Sequence, residues 1–416
     1  MLRHVSKDIL MDMWKGTNMN LEDIRYIGTK DFKIDLFEGM FKVSEGMIYN
    51  SYLIEDEKIA VLDTVDKEFG SEWMEKLQKE LQGRSPDYLI VQHMEPDHSA
   101  NILLFSRTFP EAVIVSSQKA FQMMVQFFGQ EIAPKRMIVA EGEELNLGKH
   151  RLIFIEAPMV HWPEVIMTYD TCTGALFSAD AFGKFGTKDN TEEWLDEARR
   201  YYFGIVSKYG VYVQKLLEKA AKLDIKVICP LHGPILDKNI GYYLRTYEIW
   251  AAYESEVADI LIAYTSVYGN TKEAVEYLEK QLGEKGCRVQ CMDLCRCDIF
   301  EAVSQAFRCS TLVLATTTYN AGVFPAMRKF IEYLLERNYG KRLVGLIENG
   351  SWAITAARIM EEMLKKGKEI EIAENRVRIV SALNEDSKTQ LDKLADELHK
   401  HYLESINQTG FQEVIQ

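Results

Sequence analysis

Four side chains that can bind metal crowd into one short stretch, VQHMEPDHSAN, at residues 91–101. Two imidazoles and two carboxylates fall within six consecutive positions: His93, Glu95, Asp97 and His98. The stretch continues the apolar run DYLIVQ, which has the pattern of a strand. If the chain stays extended, His93, Glu95 and Asp97 point to one side of the turn and His98 points to the other. One loop could then serve two metal ions.

Three further candidate ligands follow later apolar runs: His161 in APMVHWPE, Asp180 in LFSADAFG and His232 in CPLHGPI. The complete set has four imidazoles, three carboxylates and no thiolate, and it takes four of the eight histidines. Such nitrogen and oxygen ligands suit iron, manganese or zinc, and carboxylate-rich pairs with open positions favour redox-active iron. For any one of these side chains alone, a hydrogen-bonded structural role is the commoner explanation.

A second candidate site begins at TSVYGNT, between a strand-like run and a helix-like run. Hydroxyls, a glycine and backbone N–H groups at such a turn bind an anion, helped by the helix N-terminus, so we expect a phosphate there. Neither GxGxxG nor GxxxxGK[ST] is present, which argues against a dinucleotide site and a P-loop nucleotide site. The predicted phosphate loop consists of Thr265, Ser266, Val267, Tyr268, Gly269, Asn270 and Thr271.

Two later strand ends, in TTTYNAGVFPAM and ENGSWAI, point to the same crevice. Tyr319 and Trp352 could stack on a flat ring there, although each aromatic side chain alone could equally pack on its own loop. Backbone groups near Asn320 and Gly350 would meet the polar edge of such a ring. The candidate contacts in these two segments are Thr317, Thr318, Tyr319, Asn320, Ala321, Gly322, Asn349, Gly350, Ser351 and Trp352.

The rhythm of apolar runs predicts two scaffolds for these two sites. In the first part, strand-like runs outnumber helical patterns until about Gly183, which favours sheets covered by helices. A long helix is predicted over residues 192–223. From about Asp259, five strands each followed by a helix are typical of a doubly wound parallel sheet. The boundary falls in YESEVAD, so the predicted domains are residues 1–254 and 259–416.

Composition limits the class of protein. The net charge of -14 disfavours nucleic acid and anionic membrane surfaces as partners. The N-terminal segment mixes charged with apolar residues, unlike a secretory signal, and no stretch has the roughly 18 uncharged apolar residues of a membrane span. Seven cysteines, an odd number, argue against a complete disulfide framework. These features predict a cytoplasmic protein.

Four of the cysteines crowd into GCRVQCMDLCRC: Cys287, Cys291, Cys295 and Cys297. An iron–sulfur or zinc site is one interpretation, but such sites usually show paired CxxC spacing, which is absent here. The segment follows a helical pattern and has the alternation of a strand. A plain strand is therefore the favoured interpretation.

The metal-binding pattern resembles the metallo-β-lactamase-like domain of the flavodiiron proteins. HxExDH followed by His, Asp and His, with LFSADAFG and PLHGPI, carries the resemblance, whereas hydrolytic zinc members of that superfamily typically have HxHxDH. Glu95 is the difference, because a carboxylate adds negative charge and hardens the site. The resemblance implies an N-terminal αββα sandwich with a diiron centre, supported by Asp63 in VLDTV. The implied ligands of the first iron, the second iron and the bridge are His93, Glu95 and His161, then Asp97, His98 and His232, then Asp180.

The second half is similar to flavodoxin, which implies FMN as its cofactor. The order of the two halves is that of the minimal flavodiiron protein. The resemblance therefore implies reduction of dioxygen to water, or of nitric oxide to nitrous oxide, with no catalytic residue beyond the metal ligands. The chain up to Gln416 contains no paired CxxC motifs of a fused rubredoxin, so a separate electron donor is expected, a rubredoxin in this family. A head-to-tail homodimer, or a dimer of such dimers, is also implied, with the FMN of one chain against the iron site of the other.

Two other functions stay open at this point. One is a zinc hydrolase of metallo-β-lactamase type with an accessory flavodoxin domain, in which a metal-bound hydroxide attacks a thioester or phosphodiester. Glu95 and the fused flavin domain count against it. The other is a gas or redox sensor, or a plain electron-transfer module. Metal analysis with a visible spectrum separates the three.

Overall fold

A computed structural model describes residues 21–188, 190–191 and 193–408. The chain forms two compact units: one runs up to Tyr202 and continues in Val211–Glu248, and the other contains Phe203–Gly210 and the chain from Ile249 onward. The continuous limits drawn from sequence, 1–254 and 259–416, stay a prediction. The N-terminal segment, on which the prediction of no secretory signal rests, lies outside the described residues.

Among the described residues, the chain up to Cys229 forms fifteen strands. They are β1 (Ile24–Tyr26), β2 (Thr29–Asp31), β3 (Leu36–Phe37), β4 (Phe41–Lys42), β5 (Met47–Tyr49), β6 (Tyr52–Ile54), β7 (Ala60–Leu62), β8 (Tyr88–Ile90), β9 (Val113–Ser116), β10 (Arg136–Ile138), β11 (Glu144–Asn146), β12 (Arg151–Glu156), β13 (Ile166–Asp170), β14 (Ala175–Phe177) and β15 (Val227–Cys229). The helices are α1 (Gly70–Leu81), α2 (Pro96–Ser99), α3 (Ile102–Thr108), α4 (Gln118–Phe128), α5 (Trp194–Tyr201), α6 (Gly210–Ala220) and α7 (Ile240–Ala251).

Two sheets share the core of the first unit. One has the strand order β1-β6-β7-β8-β9-β10 and the other the order β11-β12-β13-β14-β15. Their apolar side chains meet in one buried cluster, to which Tyr52 and Leu62 contribute from the first sheet and Phe154 and Phe177 from the second. All five residues of β13 are buried, as expected of a strand covered on both faces. The predicted αββα sandwich is confirmed.

The long helix predicted over residues 192–223 is wrong. Helix α5 ends at Tyr201, and a π-helical turn (Tyr202–Val206) and a 3-10 turn (Ser207–Tyr209) precede α6. In the second unit, Phe203 stacks on Phe307 with ring centroids 4.1 Å apart, and the Gly204 carbonyl accepts a hydrogen bond from Arg337. Contacts with residues distant in sequence therefore determine the backbone conformation here. Helical periodicity is a local pattern and cannot predict such contacts.

The second unit carries the parallel sheet. Its strands are β16 (Val257–Tyr264), β17 (Val289–Asp293), β18 (Cys309–Tyr319), β19 (Gly322–Val323), β20 (Gly340–Gly350), β21 (Lys368–Ile372) and β22 (Val377–Val380). Its helices are α8 (Asn270–Glu284), α9 (Ile299–Arg308), α10 (Pro325–Glu336), α11 (Ala356–Leu364) and α12 (Glu385–Gln408). Among the described residues, no helix combines the length and apolar character needed to cross a bilayer.

The doubly wound class is confirmed, but the count of five strands needs correction. Strands β17, β16, β18 and β20 lie side by side and run parallel. Beyond β20, strand β21 pairs with its first half and β22 with its second half, so two strands share the fifth position. Strand β19 forms a short antiparallel pair with β18. Sequence analysis did not predict β21, because the residues of this edge strand, KEIEI, are largely charged and mostly exposed.

Candidate metal centre and flavin crevice

Asp63 holds the loop that follows β8. Its backbone lies in the left-handed region (φ 54°), and its Oδ1 accepts hydrogen bonds from the backbone N–H groups of Gln92 (2.7 Å) and His93 (3.3 Å). Its Oδ2 accepts one from the Gln92 side chain at 2.8 Å. Burial raises the pKa of Asp63 to about 6, against the lowering effect of these hydrogen bonds. Both carboxylate oxygens thus position the loop.

The extended conformation predicted for this loop is wrong from Pro96 onward. Pro96 is the first residue of α2, a position that its fixed φ favours. The helical turn brings His98 back toward the other candidates: its Nε2 lies 3.3 Å from Asp97 Oδ2 and 3.1 Å from His232 Nε2. His98 therefore does not point away, although strand alternation predicts that it should.

All seven candidate ligands converge in two adjoining groups. Within each group the ligand atoms lie within 4.8 Å of one another. In the first, the Nε2 atoms of His161 and His93 lie 3.0 Å and 3.2 Å from Glu95 Oε2. The members are His93, Glu95, His161 and Asp180 in the first group and Asp97, His98 and His232 in the second.

Asp180 lies between the two groups and presents one oxygen to each. Its Oδ2 is 3.0 Å from His161 Nε2, on one side. Its Oδ1 is 3.2 Å from His98 Nε2, on the other side. A carboxylate in this position can bind two metal ions at once. The bridging role that the sequence resemblance implies for Asp180 stays a prediction, and its two oxygens face one group each.

Two of the imidazoles are oriented by acceptors at their outer nitrogen. His93 Nδ1 lies 2.8 Å from Glu164 Oε1, and His232 Nδ1 lies 2.7 Å from the backbone carbonyl of Ile48. With Nδ1 as the donor, Nε2 of each ring is free to bind a metal. Sequence analysis missed Glu164. Its position three residues after His161 was a signal, but nothing in the sequence says that it reaches His93.

The pocket is buried and strongly charged. Burial disfavours ionised carboxylates, yet the imidazoles of His93 and His98 hold the pKa of Asp180 well below its ordinary value. Hydrogen bonds from His161 and His93 likewise lower the pKa of Glu95 against the effect of burial. The same carboxylates raise the pKa of His161 to about 9, although burial alone would lower it.

The donor atoms fit a pair of metal ions. Asp97 Oδ1 is buried without a hydrogen-bond partner, and Asp97 Oδ2 and Asp180 Oδ1 lie 3.3 Å and 3.2 Å from His98 Nε2 without a well-formed hydrogen bond. Burying such oxygens uncompensated costs roughly 1–3 kcal/mol each, or more when they are charged. Two divalent cations held by imidazole nitrogen and carboxylate oxygen would satisfy them, and that ligand set suits iron, manganese or zinc.

Tyr201, the last residue of α5, is a further side chain that sequence analysis missed. It is fully buried, its ring centroid lies 5.6 Å from that of His232, and its hydroxyl has no hydrogen-bond partner. Burial raises the pKa of Tyr201, and the charges of Asp180 and Glu95 raise it further. The hydroxyl therefore stays protonated, on a ring that packs against His232.

The predicted phosphate loop lies at the carboxyl end of β16. Thr265 Oγ1 and Thr316 Oγ1 are 2.6 Å apart across neighbouring strands. Ser266 Oγ accepts hydrogen bonds from the backbone N–H groups of Gly269 and Lys272, both at 3.2 Å. Gly269 has φ 97° and immediately precedes α8, so the loop turns its backbone toward the helix N-terminus. Such a turn is suited to a phosphate.

The other two predicted segments end beside this loop. Asn349 Nδ2 donates to Thr271 Oγ1 at 3.4 Å and to the Ser381 carbonyl at 3.2 Å, which links two of the three segments. Sequence analysis did not identify Ser381 as part of this crevice. The remaining candidates lie at strand ends and turns: Val267, Tyr268 and Asn270 near the start of α8, Thr317, Thr318 and Tyr319 at the end of β18, Asn320 and Ala321 in a left-handed turn, Gly322 in β19, and Gly350, Ser351 and Trp352 at and after the end of β20.

The aromatic side chains of this crevice are exposed to different degrees. Tyr268 is 92% exposed, Trp352 82% and Tyr319 46%. Tyr319 meets Phe324 edge to face, with ring centroids 5.3 Å apart. Trp352 and Tyr268 are free to contact a flat ring, and Tyr319 retains part of its surface for the same purpose.

The cysteine-rich segment forms a strand. Cys291 lies in β17, and Cys295 and Cys297 follow it. Burial raises the pKa of Cys291 to about 12 and that of Cys297 to about 11, so these sulfurs are thiols. In the described part of the chain, the groups of metal-competent side chains are the two described above, and neither contains a cysteine.

Two family models match the chain. The model described as ODP family beta lactamase matches residues 47–233, and a flavodoxin domain model matches residues 261–381. The first match contains all seven candidate metal ligands, and the second contains the whole predicted crevice.

Known proteins resemble the chain over most of its length. A nitric oxide reductase from Moorella thermoacetica is 31% identical over 364 residues, which cover 85% of this chain and 90% of the relative. The structure of rubredoxin oxygen:oxidoreductase from Desulfovibrio gigas has a TM-score of 0.86 at 22% identity and covers 94% of this chain and 99% of that one. The flavodiiron protein from Giardia intestinalis has a TM-score of 0.88 at 22% identity, with 94% and 97% covered. The two structures support the fold.

Proposed function

The chain belongs to the flavodiiron protein family, and from that premise we propose that it reduces dioxygen to water, nitric oxide to nitrous oxide, or both. It is an oxidoreductase whose second unit would hold FMN, a group that supplies electron transfer, and whose first unit would hold a pair of irons. The relative that supports this activity most directly is the nitric oxide reductase of Moorella thermoacetica, because it is 31% identical and nearly fully covered.

The observation that carries the proposal is the position of Asp180 between two groups of buried ligands. We assign His93, Glu95 and His161 to one iron, with Asp97, His98 and His232 on the other and Asp180 bridging. When bound, the irons supply electrons and open coordination positions for a small gas. A carboxylate at Glu95 suits this redox role, because it adds negative charge to a set of hard ligands.

The chain's own residues orient the ligands, exclude bulk water and supply protons. Glu164 and the Ile48 carbonyl fix the rings of His93 and His232, while Asp63 fixes the loop before them. Full burial of both rings keeps bulk water from them. The Tyr201 ring lies 5.6 Å from that of His232, and its protonated hydroxyl is our candidate hydrogen-bond donor to the substrate gas.

The crevice at the carboxyl ends of β16, β18 and β20 is our candidate FMN site. The backbone of the loop from Thr265 to Thr271 and the N-terminus of α8 would bind the phosphate. Tyr319 and Trp352 would stack on the flavin ring, and backbone groups near Asn320 and Gly350 would bind its polar edge. The phosphate loop would use neutral donors, as it has no Lys or Arg before Lys272.

The electron donor and the assembly are also part of the proposal. A rubredoxin-type protein is the expected donor, in line with the similarity to rubredoxin oxygen:oxidoreductase from Desulfovibrio gigas. A head-to-tail homodimer, or a dimer of such dimers, brings the FMN of one chain to the irons of another. The cytoplasm, as a reducing compartment, suits the seven cysteines.

Anaerobic purification followed by metal and flavin analysis tests the proposal. We expect two irons and one FMN per chain, and consumption of dioxygen or nitric oxide once the protein is reduced through a rubredoxin. Glu95 and the flavodoxin unit disfavour the zinc hydrolase. Zinc in place of iron, or iron and flavin without any gas consumption, would refute the proposal.

A further inference from the structure

We infer that Glu164 is a positioning residue that makes the two metal positions chemically unequal. The inference rests on the proposed function, because it requires a metal pair at the seven ligands. At one metal position, the histidine ligand His93 donates a hydrogen bond to the anionic carboxylate of Glu164. At the other, the histidine ligand His232 donates to the neutral backbone carbonyl of Ile48.

Glu164 is placed to control the ring of His93. It is 1% exposed, and its Oε1 accepts hydrogen bonds from His93 Nδ1 and from the Met94 backbone N–H, both at 2.8 Å. Its own carbonyl accepts one from Ser117 Oγ at 2.8 Å, which pins the backbone. A carboxylate oxygen at 2.8 Å from Nδ1 favours the tautomer of His93 with the proton on Nδ1, although the Met94 N–H also lies 3.1 Å from that nitrogen.

The inward nitrogen of His93 then faces the first ligand group. His93 Nε2 lies 3.2 Å from Glu95 Oε2 and 3.5 Å from Asp180 Oδ2. The second oxygen of Glu164, Oε2, is buried without a hydrogen-bond partner. The negative charge of Glu164 is therefore shared mainly with the His93 ring and the Met94 N–H, with its own backbone N–H as a lesser donor.

In the second ligand group, no carboxylate of the described residues is hydrogen-bonded to the outer nitrogen of an imidazole, although the buried Asp63 carboxylate interacts electrostatically with His98. His232 Nδ1 donates to the neutral carbonyl of Ile48 at 2.7 Å, and His98 Nδ1 is buried with no hydrogen-bond partner among the described residues. A carboxylate acceptor increases the electron density of an imidazole more than a carbonyl does, and loss of such a partner typically lowers metal affinity roughly 10–100-fold. His93 is therefore a stronger electron donor to its metal than His232 is to the other metal.

The substitution Glu164→Gln isolates the charge, because glutamine keeps the shape and still offers an oxygen to His93. The full-length protein is loaded anaerobically with isotopically labelled iron and challenged with a chelator. We expect one iron to be lost roughly 10–100-fold more readily than in the unchanged protein, while the other is retained. The Mössbauer spectrum should show a change in the signal of one iron only.

Glu156→Gln is the matched control, since Glu156 is an exposed carboxylate on β12, the strand that leads toward His161. FMN content and circular dichroism of the same samples report whether the fold is intact. If Glu164→Gln hinders folding, Glu164→Asp keeps the charge at a greater distance from His93 and should weaken the same single iron.

Unchanged iron retention and spectrum in Glu164→Gln would overturn the inference, and so would equal weakening of both irons. Failure of the proposed function has a different signature. In that case the unchanged protein itself lacks an iron pair, and the variant cannot differ from it.

Discussion

The metal pocket and the flavin crevice differ in how deeply their binding side chains are buried. His93, His98 and His232 are fully buried and Asp180 is 1% exposed, whereas Tyr268 and Trp352 are 92% and 82% exposed. Small hard cations need several ligand atoms at fixed positions, so the protein must build their site in advance. A flavin brings a large flat surface of its own, and exposed rings can close on it.

The two regions also differ in what holds them. The pocket relies on buried hydrogen bonds between distant segments, such as those of Asp63 and Glu164. The crevice relies on short-range geometry at strand ends, such as the turn at Gly269. A substitution in the pocket should therefore affect metal content strongly and flavin content little, and the reverse should hold in the crevice.

The largest effect is expected for Asp180→Asn. An amide lacks the charge and the second anionic oxygen that bridge the two ligand groups, so iron content should fall below two per chain. Gas reduction should fall at least about 100-fold, because the expected loss exceeds that for an outer partner. Iron analysis and gas electrodes measure both. FMN content should not change. The control is Asp224→Asn, which alters an exposed carboxylate. Full iron content in Asp180→Asn would contradict the bridging role.

Tyr201→Phe separates chemistry from metal binding within the pocket. Removal of an unpartnered hydroxyl leaves no other group unsatisfied, so iron content and stability should be preserved. Gas reduction should still fall by roughly 10-fold or more, because a donor beside the ligands is lost. Tyr339→Phe removes another buried, unpartnered hydroxyl from the second unit and is the matched control. A Tyr201→Phe enzyme with an unchanged rate would exclude the role as a donor.

Gly269→Ala tests the crevice. Open space surrounds the position, so the penalty comes from the left-handed backbone (φ 97°) alone. An L residue there costs about 1–2 kcal/mol, which should weaken FMN binding roughly 5–30-fold while iron content stays the same. Fluorescence titration of FMN gives the dissociation constant. Gly283→Ala, inside the same helix and also with open space, should leave FMN binding unchanged; equal weakening in both variants would argue against the turn.

His150→Gln tests whether a buried histidine–carboxylate group outside the pocket is part of the scaffold. His150 Nδ1 lies 2.8 Å from Asp170 Oδ2, and its Nε2 lies 3.4 Å from Asp23 Oδ2. Burial opposes protonation, but these carboxylates outweigh it and raise the pKa of His150 above 6.5, with Asp56 adding to the effect. Protonated His150 therefore stabilises the fold. This stabilisation is fully present at a pH below the ordinary histidine pKa, and it is lost as the pH rises through the raised pKa of the folded state.

The free energy of unfolding of the unchanged protein should therefore exceed that of His150→Gln most at about pH 6 and least at about pH 9. Urea denaturation at a series of pH values measures the difference. Iron and FMN content should not respond, and His399→Gln on α12 is the control. A difference that stays constant with pH would show that the charge of His150 does not contribute.

Much of this arrangement could be predicted from the sequence. The alternation of strands and helices indicated the parallel sheet, and HxExDH with the later His161, Asp180 and His232 indicated the ligands that converge. The predicted crevice segments do end at the same edge of the sheet, because parallel strands align their carboxyl ends. Patterns of this kind are local, so they are visible in a single chain.

The sequence alone determined which atoms were available: hard ligands in one half and a phosphate-binding turn in the other. Tertiary structure decided how they meet. The helical turn at Pro96 brought His98 inward, the π-helical turn after Tyr201 interrupted a helix that periodicity predicted, and Glu164 reached His93 from 71 residues away. The physical reason is that backbone patterns report local preference, whereas the partner of a buried polar group is chosen by packing between segments far apart in the chain.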